Sequence, residues 1–189
     1  MKKHFLALLL MILGGLGLNA QIVYEDFEGG ASQNWVGLNG AYNGAVANPS
    51  PDAVNGSATV GSYTNNIGFD FCFALADQSQ TIDASEYNQF KMKVWSPVAT
   101  GKILLKLETI GGGAAVEKIV DIQGANQWYE YSFDLSAGAA GTTYNRLLVS
   151  FNSFVFDNST FYFDEIRAEK AIRVIEDWET PSGINWISL

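Results

Sequence analysis

Asp70, Lys93, Trp95 and Glu130 all fall in the polar phase of runs that alternate polar with apolar residues, GFDFCFAL, FKMKVW and WYEYSFDL. On one strand face that combination could do chemistry. An indole ring among carboxylates and an ammonium group offers an apolar plane to the C–H surface of a sugar, with polar neighbours to hold its hydroxyls. The same ring could equally pack beneath a loop. Tyr42 and Tyr144, set near Gly and Asn together with Trp35 and Tyr63, mark a second location at loop tips. Aromatic side chains make up 13% of the chain, enough to fill a core and leave rings over for a surface.

Covalent and acid–base chemistry is poorly served. The one histidine, His4, lies in a segment expected to be removed, which takes away the commonest general base and metal ligand. The 20 Asp and Glu residues could supply a glycosidase carboxylate pair by number, yet none stands in a catalytic motif, and no serine occupies a Gly-x-Ser-x-Gly elbow. Cys72 has no partner for an internal disulfide and reads as a small buried hydrophobe. Gly111, Gly112 and Gly113 run from strand to strand with no helix or Lys-Ser/Thr after them, a hairpin rather than a phosphate loop. The chain is expected not to be an enzyme.

The elements that must position these residues are strands. Helical periodicity is missing over any window longer than a turn, whereas short alternating runs recur between Gly, Asn, Asp and Ser clusters. Strands are expected at 22–28, 58–63, 68–76, 89–96, 102–109, 128–135, 146–153 and 160–168, with a further one at 115–122. Such spacing without helices argues for an all-β fold, an antiparallel jelly-roll sandwich. Alternation points Phe69, Phe71, Phe73 and Leu75 into the core, with Phe90, Met92, Val94, Ile103, Leu105, Leu107, Tyr129, Tyr131, Phe133, Leu135, Leu147, Val149 and Phe151. Lys91 and Lys93 are expected to pair across strands with Glu108 and Glu130, individually weak contacts. Asn55-Gly56-Ser57 and Asn158-Ser159-Thr160 match a glycosylation acceptor pattern but read better as turns.

Residues 1–20 have the plan of a secretory signal: Lys2 and Lys3, an apolar run, then a glycine-softened segment ending at Ala20. Export is the expectation, to the periplasm, cell surface or medium. Removing that leader leaves nine basic residues against 20 acidic ones, a net charge of −11, which argues against a nucleic-acid partner. The start of the remaining chain is repeated at its end. Residues 23–38, VYEDFEGGASQNWVGL, align without a gap on residues 174–189, VIEDWETPSGINWISL, with identities at seven of 16 positions. The offset of 151 residues is about one domain, so a sandwich at 21–170 is expected, followed at 171–189 by the start of a second, truncated copy. Trp186 repeats Trp35, which suits a framework role for that ring.

The succession YEDFEGG…NW, VANPSPDAVNGSATVGSY, FKMKVWSPVATGKILLKLE, NQWYEYSFDLS, YNRLLVSFN and TFYFDEIR resembles the galactose-binding-like β-sandwich modules of Bacteroidetes-type exported proteins, which are related to several carbohydrate-binding module families. The resemblance spans residues 23–168. It implies a non-catalytic module that binds a polysaccharide or oligosaccharide, set beside a catalytic domain or further repeats in one polypeptide. It also implies a structural Ca²⁺ held by Glu28 and Asp164, and DFE and FDE are indeed acidic spots in otherwise apolar strands. Asp26, through its carbonyl, and the loop at Asn55 are the further oxygen donors such an ion would need. Alternatively, Glu25, Asp26 and Glu28 alternate outward and blunt an edge strand. Trp128 resembles a framework tryptophan, leaving Trp95 as the ring for a ligand, while Gly68, Phe69 and Asp70 depart from the tryptophan that the resemblance implies there. A structural or adhesive repeat without sugar binding is the competing function.

Overall fold

The computed structural model describes residues 21–138 and 141–170, so the expected leader at 1–20 and the repeat copy at 171–189 lie outside the described residues. Among these, every regular element is a strand. One sheet runs β3 (Gly40–Ala47), β4 (Thr59–Asn65), β11 (Thr160–Lys170), β6 (Tyr87–Trp95), β9 (Trp128–Asp134), and β1 (Gln21–Glu25) also pairs with β11. The other runs β2 (Trp35–Leu38), β5 (Phe73–Asp83), β10 (Thr143–Phe151), β7 (Lys102–Glu108), β8 (Ala115–Asp121). All pairings are antiparallel. This is the jelly-roll sandwich expected from the alternation.

β2 and β3 are the strands that pattern reading misses. Their sequence, WVGLNGAYNGAVA, is rich in Gly and Ala and carries no clean alternation, so partners rather than propensity hold it extended. The hairpin between β7 and β8 turns on Gly111 and Gly112, whose φ angles of 88° and 89° suit a residue without Cβ.

One edge of β11 is shared by two strands. β4 pairs with Thr160 to Phe163 and β1 with Ile166 to Glu169. Between them Asp164 and Glu165 are left unpaired on that side at a bulge, with Glu165 at φ 47°. A gap in the ladder therefore opens at Asp164.

The inner faces meet over a core of Phe90, Met92, Val94, Tyr131, Phe133, Phe161 and Phe163 from the larger sheet and Ile103, Leu105, Leu107, Leu147, Val149 and Phe151 from the smaller, all at most 2% exposed. Gly61 in β4 makes room for two of the rings. A Cβ there would stand 2.5 Å from Phe27 and 2.8 Å from Phe163.

β5 corrects the expected phase. Ala74 and Ala76 are fully buried in the core with Cys72, while Phe73 and Leu75 lie on the opposite face, half-buried, and Phe69 is exposed. The core around it is crowded with aromatic rings, and small side chains alone point inward from this stretch. The bulky residues of FDFCFAL consequently look out.

Candidate functional site

Glu25 is 1% exposed, not turned outward on an edge strand. Its carboxylate accepts hydrogen bonds from the amides of Phe27 (3.1 Å), Ser32 (3.0 Å) and Gln33 (3.0 Å) and from Trp35 Nε1 (2.9 Å). Charge-assisted bonds of this kind satisfy a buried carboxylate and fix the turn joining β1 to β2. Trp35, at 5% exposure, packs its ring edge-on against Phe163 at 5.3 Å. The framework role expected from Trp186 is the one the structure gives Trp35. Both members of the pair recur in the repeat, as Glu176 and Trp186, and that shared spacing is the signal by which Glu25 could have been found.

The acidic residues assigned to a metal gather around the gap in the β11 ladder. A cleft of about 450 Å³ is lined by Asp26, Glu28, Ser57, Glu165 and Arg167, with Gln21 and Val23. Glu28 Oε1 accepts the Ala58 amide at 3.2 Å, and Asp26 Oδ1 accepts the Glu28 amide at 3.2 Å. Asp164 and Asn55 are fully buried. Asp164 Oδ1 accepts the Glu165 amide at 2.8 Å, whereas its Oδ2 is buried without a hydrogen-bond partner, as is the Asn55 side-chain nitrogen. Burial pushes the Asp164 carboxyl up to about 6, against the pull of the nearby Ser57 hydroxyl, the Glu165 amide and the Asn55 side chain. Ser57 and Asn55 thus sit near the carboxylate, but neither closes a hydrogen bond onto Oδ2.

An orphaned, buried carboxylate oxygen near the Asn55 and Ser57 side chains is a hard oxygen donor of the kind Ca²⁺ takes. Among the described residues, however, no three His, Cys, Asp or Glu side chains come together as a metal cluster. An ion here would draw on two carboxylates and complete its shell from Asn55, Ser57 and backbone carbonyls.

The outer face of the larger sheet holds Lys93, Trp95 and Glu130 together, since Lys93 faces Glu130 and Trp95 faces Trp128 across β6 and β9. Its charges are taken. Lys93 pairs with Glu165, Lys91 with Glu169 at 2.8 Å, and Arg167 with both Glu130 and Glu165. Glu108, expected beside the lysines, belongs to the other sheet and pairs with Lys106 and Arg146. Trp95 is half-buried, edge-on to Tyr162 at 5.5 Å, with its indole N–H buried and unpartnered; Trp128 is buried and donates to Asn48 Oδ1 at 3.1 Å. Trp128 is thus closed to a ligand, and Trp95 is only partly open.

The loop-tip alternative is corrected as well. Tyr144 is 1% exposed, because it lies within β10 on the core side. Tyr42 lies in β3 with its ring tilted between Trp35 and Phe163, and its hydroxyl is buried; burial pushes the phenol up to about 12. Asp70 stands apart from Lys93 and Glu130, in the loop ahead of β5, where its carbonyl accepts the Phe154 amide at 2.8 Å.

The outer face of the smaller sheet is the reverse of a solvated one. Cross-strand partners form a row Val36–Leu75–Leu148–Lys106 and beside it the pairs Leu38–Phe73, Ser150–Leu104 and Leu104–Ile119. Val36 and Leu38 are 44% and 47% exposed. At one end the floor meets charges: Arg146 grips Asp77 through Nε (2.5 Å) and Nη2 (3.1 Å), and reaches Glu108 at 3.5 Å. That contact holds the Asp77 carboxyl below its usual range. At the other end Phe73 stacks on Phe71 at 6.0 Å, and Phe71 meets Phe154 edge-on at 4.8 Å. An apolar strip flanked by hydrogen-bonding groups is what a ring-shaped polyhydroxylated ligand requires.

No protein-family model matches the chain, and no curated protein matches it. Solved structures do. The family 11 carbohydrate-binding module of a Clostridium thermocellum cellulosomal cellulase superposes with a TM-score of 0.59 at 12% identity, over 83% of this chain and 98% of that one. A family 29 carbohydrate-binding module, in a variant complexed with cellulohexaose, gives 0.54 at 8% identity, over 79% of this chain and 90% of that one. An exo-β-agarase gives 0.62 at 11% identity over 80% of this chain, which spans only 26% of the agarase. The fold of this chain is therefore the β-sandwich that these carbohydrate-binding modules share.

Proposed function

We propose that the protein is a non-catalytic carbohydrate-binding module of an exported protein, and that the outer face of the smaller sheet receives the glycan. The apolar strip of exposed Val36 and Leu38 beside half-buried Phe73 and Leu75, on the face that β5 turns away from the core, carries this reading. Asp77, Arg146, Glu108 and Lys106 supply groups that hydrogen-bond hydroxyls at its rim. Family 11 and family 29 modules solved with a mixed-linked β-1,3-1,4-tetrasaccharide and with cellulohexaose support sugar as the ligand class. Affinity electrophoresis in gels of soluble mixed-linkage β-glucan, xylan and agarose tests it. Phe73→Ala is expected to abolish retention on the glycan that retards the parent chain, and Trp95→Ala to leave it. No retention on any glycan would favour the structural repeat, and release of reducing ends from the same polysaccharides would make the protein an enzyme.

The junction of β1, β4 and β11 is proposed to bind Ca²⁺ through Glu28 and Asp164, with Asn55 and carbonyls such as that of Asp26. The unpartnered Asp164 Oδ2 supports the assignment. A bound ion would neutralise a buried carboxylate and join the first strand to the last. Excess Ca²⁺ is expected to raise the melting temperature over that in EDTA, and Asp164→Asn to remove the increment; equal melting in both would exclude the ion.

A further inference from the structure

The two loops at one end of the sandwich, residues 66–72 and 152–159, carry apolar side chains where connecting segments ordinarily carry polar ones. Ile67 is 59% exposed, Phe69 44%, Phe154 50%, Val155 44% and Phe156 61%. These loops are braced from beneath. The Asp157 carboxylate accepts from Asn65 Nδ2 at 2.7 Å and Asn152 Nδ2 at 2.6 Å, Asn158 Oδ1 accepts the Ile67 amide at 2.9 Å, and the Phe154 amide donates to the Asp70 carbonyl. Phe154 itself is held at φ 70°, a conformation costly for an aromatic residue that persists only when its surroundings impose it. The result is a fixed apolar ledge.

Its chemistry narrows the partner. The only ionisable side chains in the two loops besides the Cys72 thiol are Asp70 and Asp157, and the whole chain carries a net charge of −9. Anionic headgroups, nucleic acid and acidic polysaccharides are repelled by such a surface. Nothing basic is present to draw them in. The ledge is also continuous with the glycan face, through the stack of Phe73 on Phe71 and the edge contact of Phe71 with Phe154. With its carboxylates few and Asp157 already bonded, the ledge makes apolar contact without reading individual hydroxyls.

We propose that this ledge docks the module on the surface of an insoluble, uncharged polysaccharide, its rings and aliphatic side chains lying on the C–H faces of packed sugar chains. The inference rests on the glycan-binding reading of the sheet face, and two assays separate them. Co-sedimentation of the full chain with cellulose, chitin, insoluble β-1,3-glucan and agar particles reads the ledge; gel retardation by soluble glycan reads the sheet. The Phe69→Ser/Phe156→Ser variant, altered only at exposed rings, is expected to bind particles on the order of tenfold more weakly, with retardation and melting temperature unchanged. Equal sedimentation of variant and parent would overturn the ledge while sparing the sheet. Failure of the parent to sediment with any of the particles would overturn it too, as would sedimentation with neutral phosphatidylcholine vesicles that the same variant abolishes, since the ledge would then serve lipid. A parent that sediments with the particles in a way the variant loses, yet is not retarded by any soluble glycan, would sink the glycan face and uphold the ledge.

Discussion

Buried carboxylates do two different jobs here, and their hydrogen bonds tell them apart. Glu25 is saturated by three amides and an indole N–H, so it acts as a structural clamp. Replacing it by Ala would leave those buried donors unpaired, and a loss of about 3 kcal/mol or more in urea unfolding is expected. Trp35→Phe, which removes one donor and keeps most of the ring packing, should lose about 1–2 kcal/mol. A Glu25→Ala chain as stable as the parent would show that the clamp is dispensable. Asp164 is the opposite case, a buried carboxyl with one oxygen unpaired. Its folded value of about 6 lies above the ordinary 3.8, so in EDTA the protonated folded form is favoured: this contribution is whole below pH 4 and is lost as pH rises through 6. Melting scans in EDTA should therefore show the parent losing stability between pH 4 and 7 relative to Asp164→Asn. Parallel curves would contradict it. The sequence marks Asp164 as an acidic spot in an apolar strand and reads Glu25 as an outward edge residue. It cannot say which one the turn after β1 encloses, because that depends on amides contributed seven and eight residues later.

At the scale of elements, the strand most informative about function is the one whose phase reads wrongly. In β5 two alternating sets compete, Phe73 and Leu75 against Ala74 and Ala76, and hydrophobicity alone assigns the larger set to the core. Volume decides otherwise. Phe161 and Phe163 of β11, each with its ring centroid 5.4 Å from that of Phe151 in β10, fill the interior, and that arrangement cannot be read from β5 itself. In β7 and β10 most of the bulky residues fall on one phase, Ile103, Leu105 and Leu107 and Leu147, Val149 and Phe151, so their core faces are legible despite Leu104 and Leu148 on the other. Ala76→Leu is accordingly expected to overpack the core and lose about 1–3 kcal/mol, whereas Phe73→Ala on the open face should cost under about 1 kcal/mol in the same urea titration. The reverse order would return Phe73 to the core and remove the glycan face with it. β2 and β3 leave no pattern in the sequence for a related reason. Their Gly and Ala residues have little preference of their own, and the strands exist because β5 and β4 pair with them.

For the whole molecule, the repeat in the sequence bears on where the folding unit ends. Every described strand lies within residues 21–170, and β11 already has both edges occupied, by β4 and β1 on one side and β6 on the other. β11 therefore offers no open edge to a further strand, although the spacing of Glu176 to Trp186 in the sequence matches the clamp of Glu25 and Trp35. The sandwich is expected to be autonomous. Removing residues 171–189 should shift the melting temperature by less than about 2 °C, since a loss of 1 kcal/mol moves a domain of this size by roughly 2–4 °C. A larger drop would mean that the copy packs on this sandwich, and Trp186→Ala in the full chain would then reproduce it; an unchanged melt with unchanged glycan retardation would place both stability and binding within the eleven strands.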